Sequence, residues 1–134
     1  MPERPDARDL LGTARELLLR KLLPALPERL HYDARMVANA IAIATREIEL
    51  AADTGRAEWE QTLDLLQQPA LAMAPQPALA DEVNRVRRKL TNAIRDGLFD
   101  APGERQQVLL ATLTQIVRGK LAISNPKALA RSEQ

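Results

Sequence analysis

The spacing of apolar residues along the chain predicts α-helices from one end to the other. Apolar side chains recur at intervals of three and four residues, which places them on one face of a helix. Alternating runs of β-branched residues, as strands have, are missing from the sequence. We therefore expect an all-α fold, a single-domain bundle of about five helices.

Prolines, glycines and capping residues indicate where these helices begin and end. The predicted segments are residues 6–23, 33–53, 57–68, a fourth that begins near 78, and a fifth that Asp100 caps and that ends near 124. Pro24 and Pro27 are expected to end the first helix, because proline lacks an amide donor and clashes with the preceding turn. Gly55 is expected to separate the second helix from the third.

A chain of 134 residues is expected to form one domain. The bundle then covers residues 1–124, and a proline-rich connector at about 69–77 links two of its helices. Residues 125–134 form either a flexible tail or a short terminal turn with Pro126 at its first helical position.

The second predicted helix has the widest apolar surface. If the chain advances by 100° per residue from Asp33, the expected N-cap, nine apolar side chains fill an arc of about 180°. They are Met36, Val37, Ala40, Ile41, Ile43, Ala44, Ile48, Leu50 and Ala51. Because a surface helix needs a narrower arc, we expect the helix at about 33–53 to be central and to contact at least two others.

The opposite side of this helix carries a polar stripe. Arg35, Asn39 and Arg46 share that face over about 16 Å at 1.5 Å per residue. Two guanidinium groups and an amide in such a line could hold a phosphate, a carboxylate or the end of a partner's helix. A polar stripe is also what a solvated helix face looks like, so both interpretations stay open.

Glu47 falls in the middle of the apolar arc. A carboxylate there must be paired, protonated or able to reach water. If the first two helices are antiparallel, Arg8 lies at the same level and is a candidate partner. The alternatives are a structural ion pair or subunit contact, and a functional acid with a raised pKa. Arg35, Asn39, Arg46 and Glu47 are thus the candidate contacts for a ligand or partner.

The residue composition and the missing motifs exclude most kinds of catalytic site. The chain has no cysteine and one histidine, and it contains no glycine-rich phosphate loop, zinc motif or nucleophile elbow. We therefore expect no catalytic residues, no metal and no cofactor. His31 and Tyr32 are expected to form a helix start, with Tyr32 packed on Val37, because a lone histidine lacks the spacing of metal ligands.

Charge and hydropathy bear on location and partners. The net charge is +1, and the basic run at 84–90 points around most of its helix without aromatic residues to stack on bases, so we expect no nucleic acid partner. The first residues lack the basic end and apolar run of a secretory signal, and no apolar run reaches 18 residues. These features favour a cytoplasmic protein without a membrane-spanning segment.

The segment ARELLLRKLLPALPERLHYDARMVANAIAIATREIEL, at 14–50, resembles a small uncharacterised bacterial family of all-helical proteins. The resemblance is most specific at Arg35-Met-Val-Ala-Asn39-Ala, followed by Arg46-Glu47. It implies a gene encoded beside acyl-CoA dehydrogenases and aminoglycoside-phosphotransferase-like proteins, one of which could be a partner. It implies no catalytic residues.

Two functional hypotheses follow from these observations. The first is a non-catalytic helical accessory module for protein interaction, expected to form a homodimer, because several helices combine apolar arcs with charged residues at their edges. The second is a small-ligand binder or cryptic enzyme for an acyl-CoA or a phosphorylated compound. In that case Arg35, Asn39 and Arg46 would hold the anion, and Glu47 would be the acid or base.

Overall fold

The computed structural model describes residues 5–68 and 76–132. Six α-helices occur in these ranges, and no strand is found there. They are α1 (Ala7–Leu17), α2 (Leu23–Ala25), α3 (His31–Leu65), α4 (Gln76–Arg95), α5 (Glu104–Ser124) and α6 (Pro126–Ser132). The predicted all-α bundle is confirmed. Of the predicted connector at 69–77, residues 69–75 lie outside the described ranges, whereas the last two residues belong to α4.

The first helix begins as predicted but does not end at Pro24. The Asp6 side chain caps α1 by accepting a hydrogen bond of 2.9 Å from the Asp9 amide. A π-helical turn, Leu18–Leu22, then joins α1 to the short α2. In this turn the Leu23 amide donates to the Leu18 carbonyl, five residues back, so the helix widens immediately before the proline. The chain becomes extended only at Leu26, the residue before Pro27.

The second and third predicted helices are one continuous helix, α3, of 35 residues. The predicted break at Gly55 is wrong, because side chains of α4 pack against this position and hold it helical. A Cβ placed on Gly55 would lie 3.5 Å from Leu79 Cδ2 and 3.8 Å from Val83 Cγ2. Glycine lowers helix propensity by only about 1 kcal/mol, which tertiary packing can offset.

The start of α3 also differs from the prediction. A 3₁₀ turn, Glu28–Leu30, leads directly into the helix, so Asp33 lies in the first turn and is not the N-cap. His31 does belong to the helix start, with its Nε2 atom 2.9 Å from the Leu26 carbonyl oxygen. The predicted packing of Tyr32 on Val37 stays a prediction, and Tyr32 is 70% exposed.

Helix α3 is central, as predicted, because α1, α4 and α5 all pack on it. Helix α1 runs antiparallel to its N-terminal half, and Arg15 Nε donates to the Ala38 carbonyl at 3.2 Å. Helix α5 is also antiparallel to α3, with Gly119 of α5 facing Thr54. Helix α4 lies along only the C-terminal half of α3, from the level of Gly55 onward.

The buried core follows this arrangement and lies in the C-terminal half of α3. One cluster comprises Trp59, Leu63, Leu79, Val83 and Val86. The other comprises Leu65, Leu90, Phe99 and Leu109. Helix α4 thus supplies one apolar face to the core, Leu79, Val83, Val86 and Leu90, which explains why it is held against α3.

The expectation that α3 buries its whole apolar arc is wrong for the N-terminal half. Ala34 and Ala38, beside α1, are buried. Met36, Val37 and Ile48, which lie on the arc itself, remain about half exposed, at 50%, 52% and 51%. No described element covers that face, because α4 begins only where the arc ends.

The C-terminal helices show smaller departures. Gly103, not Asp100, precedes α5, whereas the predicted end near Ser124 is confirmed. On α5, the apolar residues Leu110 and Val117 are more than half exposed. The region after 124 forms α6 up to Ser132, and the last two residues lie outside the described ranges.

Candidate functional site

The predicted polar stripe is not assembled into one site. Arg35 and Asn39 lie on the exposed side of α3, whereas Arg46 is half-buried. Arg46 Nε donates to the carbonyl oxygen of Ile123 at 2.7 Å. A guanidinium group there satisfies a carbonyl in the last turn of α5 and lies at the negative end of the helix dipole. Arg46 therefore joins α3 to α5, and the line of anion-binding groups is broken.

Arg46 also lines a groove of about 740 Å³ between α1 and α3. The charged side chains at this groove already have partners within the chain. Arg8, at the end of this groove, pairs with Glu49 at 2.6 Å, and Arg20 pairs with Glu16 at 2.8 Å. Arg15 donates to the backbone of α3. These contacts hold α1 in place, and we assign the groove a structural role.

Glu47 is exposed and does not pair with Arg8, so the predicted ion pair is wrong. The partner of Arg8 is Glu49, two residues further along α3 and so about 200° around the helix from Glu47. The carboxylate of Glu47 reaches solvent and needs no buried counter-charge. Glu47 instead lines a cleft on the side of α3 that faces away from Glu49.

This cleft lies between α3, the N-terminal end of α4 and the C-terminal end of α5, and its volume is about 690 Å³. Its apolar wall is formed by Ile43, Ile48, Ala51, Ala52, Gly55, Leu79, Val83 and Ile123. Its polar groups are Glu47, Glu58, Asn84, Arg87, Lys120 and Ser124. The cleft therefore combines an apolar surface with two basic and two acidic side chains. Of the four predicted site residues, only Glu47 lines it.

An ion pair between a buried carboxylate and a partly exposed arginine forms one wall of the cleft. Arg87 of α4 donates from Nε and Nη2 to the two carboxylate oxygens of Glu58, at 2.5 and 2.7 Å. Glu58 is 5% exposed, and its hydrogen bonds raise the pKa of Arg87 above the usual range. Arg87 Nη1 also donates a hydrogen bond to Asn84 Oδ1 at 3.4 Å. The pair fixes α4 against α3 and presents one edge of the guanidinium to the cleft.

The sequence carried a signal for Glu58 that the predicted break at Gly55 concealed. If α3 is followed at 100° per residue without interruption, Glu58 falls on the same face as Ala51 and Thr62. A carboxylate on that face needs a basic partner from a neighbouring helix. Treated as part of a separate short helix, Glu58 had no defined angle relative to Ala51.

The basic run on α4 is largely engaged within the chain. Arg85 Nη2 bonds to Glu82 at 2.9 Å, and this hydrogen bond lowers the pKa of the Glu82 carboxyl below its ordinary value. Arg87 is held by Glu58. These contacts show which carboxylates balance the arginines. The exclusion of nucleic acid stays a prediction.

The uncovered surface of α3 is continuous with the cleft. We call Met36, Val37, Ala40, Ile48 and Ala51 the open face. All five are exposed, and they lie within about 120° of arc on a segment about 22 Å long. The half-buried side chains of Ile41, Ile43 and Ala44 border or lie within it. The open face ends where Leu79 meets Gly55.

In the ranges 5–68 and 76–132 no cluster of three or more histidine, cysteine or acidic side chains is arranged to hold a metal ion. Within the same part of the chain, none of the helices has both the length and the apolar character that crossing a membrane requires.

Comparisons with known proteins give one match. Neither the curated proteins nor the solved structures include a match to this chain. A family model described as Domain of unknown function (DUF6285) matches residues 24–128, which include the whole of α3, the cleft and the open face. Because the match covers more than half of the chain, the protein belongs to the DUF6285 family.

Proposed function

We propose that this protein is a non-catalytic helical module that binds another protein through the open face of α3. The observation that carries the proposal is the exposure of Met36, Val37 and Ile48 on one side of the central helix. Contiguous apolar patches of this kind, rimmed by polar groups, are typical of interaction surfaces. Lys120 and Ser124 supply polar groups at its edge in the cleft, and Glu47 lies within it, at an angle between Met36 and Ala40.

The first partners to test are those that the sequence resemblance implies. They are an acyl-CoA dehydrogenase and a phosphotransferase-like protein encoded nearby. An accessory role toward such an enzyme requires binding and no chemistry on the part of this chain. It is therefore compatible with the described lining of the cleft, where the hydroxyl of Ser124 donates to the Lys120 carbonyl and no described nucleophile is paired to a base.

The test is affinity purification from the native host with the wild type and two charged variants, the bound proteins being quantified by mass spectrometry. Ile48→Asp places a charge on the open face, and Leu110→Asp places one on an equally exposed site of α5. We expect one identified protein to be retained by the wild type and by L110D and to fall at least about tenfold with I48D. Equal retention by all three chains would contradict the proposal.

The cleft favours a second candidate, a small amphipathic ligand such as an acyl-CoA. A volume of about 690 Å³ lies within the range of ligand pockets, and Arg87 and Lys120 could face an anionic group beside the apolar wall. Thermal-shift measurements with CoA, acyl-CoAs and nucleotides test it. Ligand at a hundred times Kd adds about 2.7 kcal/mol of stability, and Lys120→Ala should reduce the shift. Unchanged melting with every compound would exclude this candidate.

A further inference from the structure

We infer that the occupant of the open face is a second copy of this chain, which packs with its own α3 antiparallel across a two-fold axis near Ala44. The inference rests on the proposed function, keeps its interaction surface, and puts a second copy there in place of a different protein. Ala44 lies midway between Met36 and Ala51, the two ends of the open face. A two-fold axis there lets each copy cover the other's exposed side chains, as closed homodimers do.

The extent of the open face fits a paired helix. It runs for about 22 Å along α3 and adjoins the apolar wall of the cleft, so a second α3 laid along it meets both surfaces. A standard interface buries about 800 Å² on each partner. Other apolar sites, such as Leu110 and Val117 on α5, stay in solvent in this arrangement.

Charge also favours a second copy over a strongly charged partner. The net charge of +1 gives two copies little mutual repulsion, and it provides no field that would select an acidic or basic macromolecule. Glu47 and Lys120 both line the cleft. A two-fold axis brings one of each from both copies to the same interface, so the charges there are balanced.

The position of α4 decides the orientation of the paired helices. Helix α4 stands beside α3 from Gly55 onward and blocks the C-terminal end of the open face. In a parallel pair, the two α4 helices would lie at the same level and collide. In an antiparallel pair, each α4 lies next to the start of the partner's α3, at the level of Met36. Ala40 and Ala44, near the axis, allow the two backbones to approach closely.

The oligomeric state tests the interface. In sedimentation equilibrium the wild type should have twice the 14.9 kDa mass of one chain. Ile48→Asp and Val37→Lys should each weaken self-association at least about tenfold, whereas Leu110→Asp should leave it unchanged. Circular dichroism confirms that all three variants keep their helical content. A wild type that is monomeric, or an I48D variant that still dimerises fully, overturns the inference.

Single cysteines test the orientation, since the chain has none of its own. Ala44→Cys should form a disulfide-linked dimer under mild oxidation, because a residue near the axis meets its own copy. Ala51→Cys alone should not, since the two residues would be about 21 Å apart along the helix. Ala51→Cys mixed with Val37→Cys should cross-link, because these positions are symmetric about Ala44. Cross-linking of Ala51→Cys with itself would overturn the antiparallel arrangement.

Failure of this inference can be told apart from failure of the proposed function. If the chain is monomeric and the open face still retains another protein, the dimer is wrong and the interaction module stands. If the chain is a dimer through the open face and no other protein binds, the dimer is right and the accessory role is wrong.

Discussion

At the scale of single residues, the ion pair between Glu58 and Arg87 joins the central helix to α4 through two short hydrogen bonds. The two partners are unequally buried, since the Glu58 side chain is 6% exposed and that of Arg87 is 43% exposed. A guanidinium that loses its carboxylate can turn toward water, whereas a carboxylate that loses its guanidinium stays in a dry site. The same contact should therefore have two different energetic consequences.

We predict that Arg87→Met lowers the free energy of unfolding by about 3 kcal/mol, because it leaves the buried charge of Glu58 uncompensated. Glu58→Met should cost less, about 1 kcal/mol, because Arg87 regains solvent. Urea denaturation followed by circular dichroism measures both. The double variant is the control and should be close to Glu58→Met alone. Equal losses for the two single variants would contradict the asymmetry.

Glu82 gives a prediction for acid pH. The hydrogen bond with Arg85 lowers the pKa of the Glu82 carboxyl in the folded protein below its ordinary value of 4.5. The contribution of this bond to stability is therefore fully present above that pH. It is lost as the pH falls through the lower folded-state value, because the unfolded chain then binds more protons. Glu82→Gln should reduce the loss of stability between pH 5 and the acid limit. Asp81→Asn, at an exposed neighbouring position on α4, is the matched control for the removal of a carboxyl group.

At the scale of helices, two glycines have opposite environments. Gly55 lies within α3 at a position where an added Cβ meets Leu79 at an ordinary contact distance of 3.5 Å. Gly119 lies within α5, where an added Cβ would lie 2.9 Å from Thr54 Cγ2. The close approach of α5 to α3 therefore requires glycine at 119, whereas the packing of α4 on α3 does not require it at 55.

We predict that Gly55→Ala raises the free energy of unfolding by up to about 1 kcal/mol through higher helix propensity. Gly119→Ala gains the same propensity but must move Thr54 or separate the helices, so it should lower stability by about 1 kcal/mol or more. Gly12→Ala on α1, where nothing lies within 4 Å, is the control for propensity alone. A destabilising Gly55→Ala would show that α3 is interrupted at that residue.

At the scale of the whole molecule, the buried core occupies one half of the central helix, and the other half has α1 on one side and solvent on the other. A partner on the open face would cover the N-terminal half of α3, as α4 covers the C-terminal half. Stability and assembly should then be linked, because any partner that binds only the folded state favours folding by mass action.

We predict that the melting temperature of the wild type rises with protein concentration, as it must when folding and dimerisation are coupled. Ile48→Asp should melt at one temperature whatever the concentration, and Leu110→Asp should behave as the wild type. Differential scanning calorimetry over a wide concentration range measures this. A concentration-independent wild type would argue against a dimer through the open face.

Much of the local structure could be predicted from the sequence. The periodicity predicted the helical class and the start of the first helix near Asp6, because helix hydrogen bonds join residues at most five positions apart. The end of α5 at Ser124 was predicted for the same reason. These features depend on residues that are close together in the sequence, so the sequence alone identifies the interacting residues.

The tertiary structure alone decided the rest. Whether α3 continues through Gly55 depends on Leu79 and Val83, and the partner of Glu58 is a residue 29 positions away. Which half of the apolar arc is covered depends on where α4 begins along α3, which the amphipathic pattern of either helix does not specify. The sequence of an apolar face indicates that the face will be covered, but it does not specify which element covers it. The reason is that the hydrophobic effect has no direction and acts equally on any element that can reach the face.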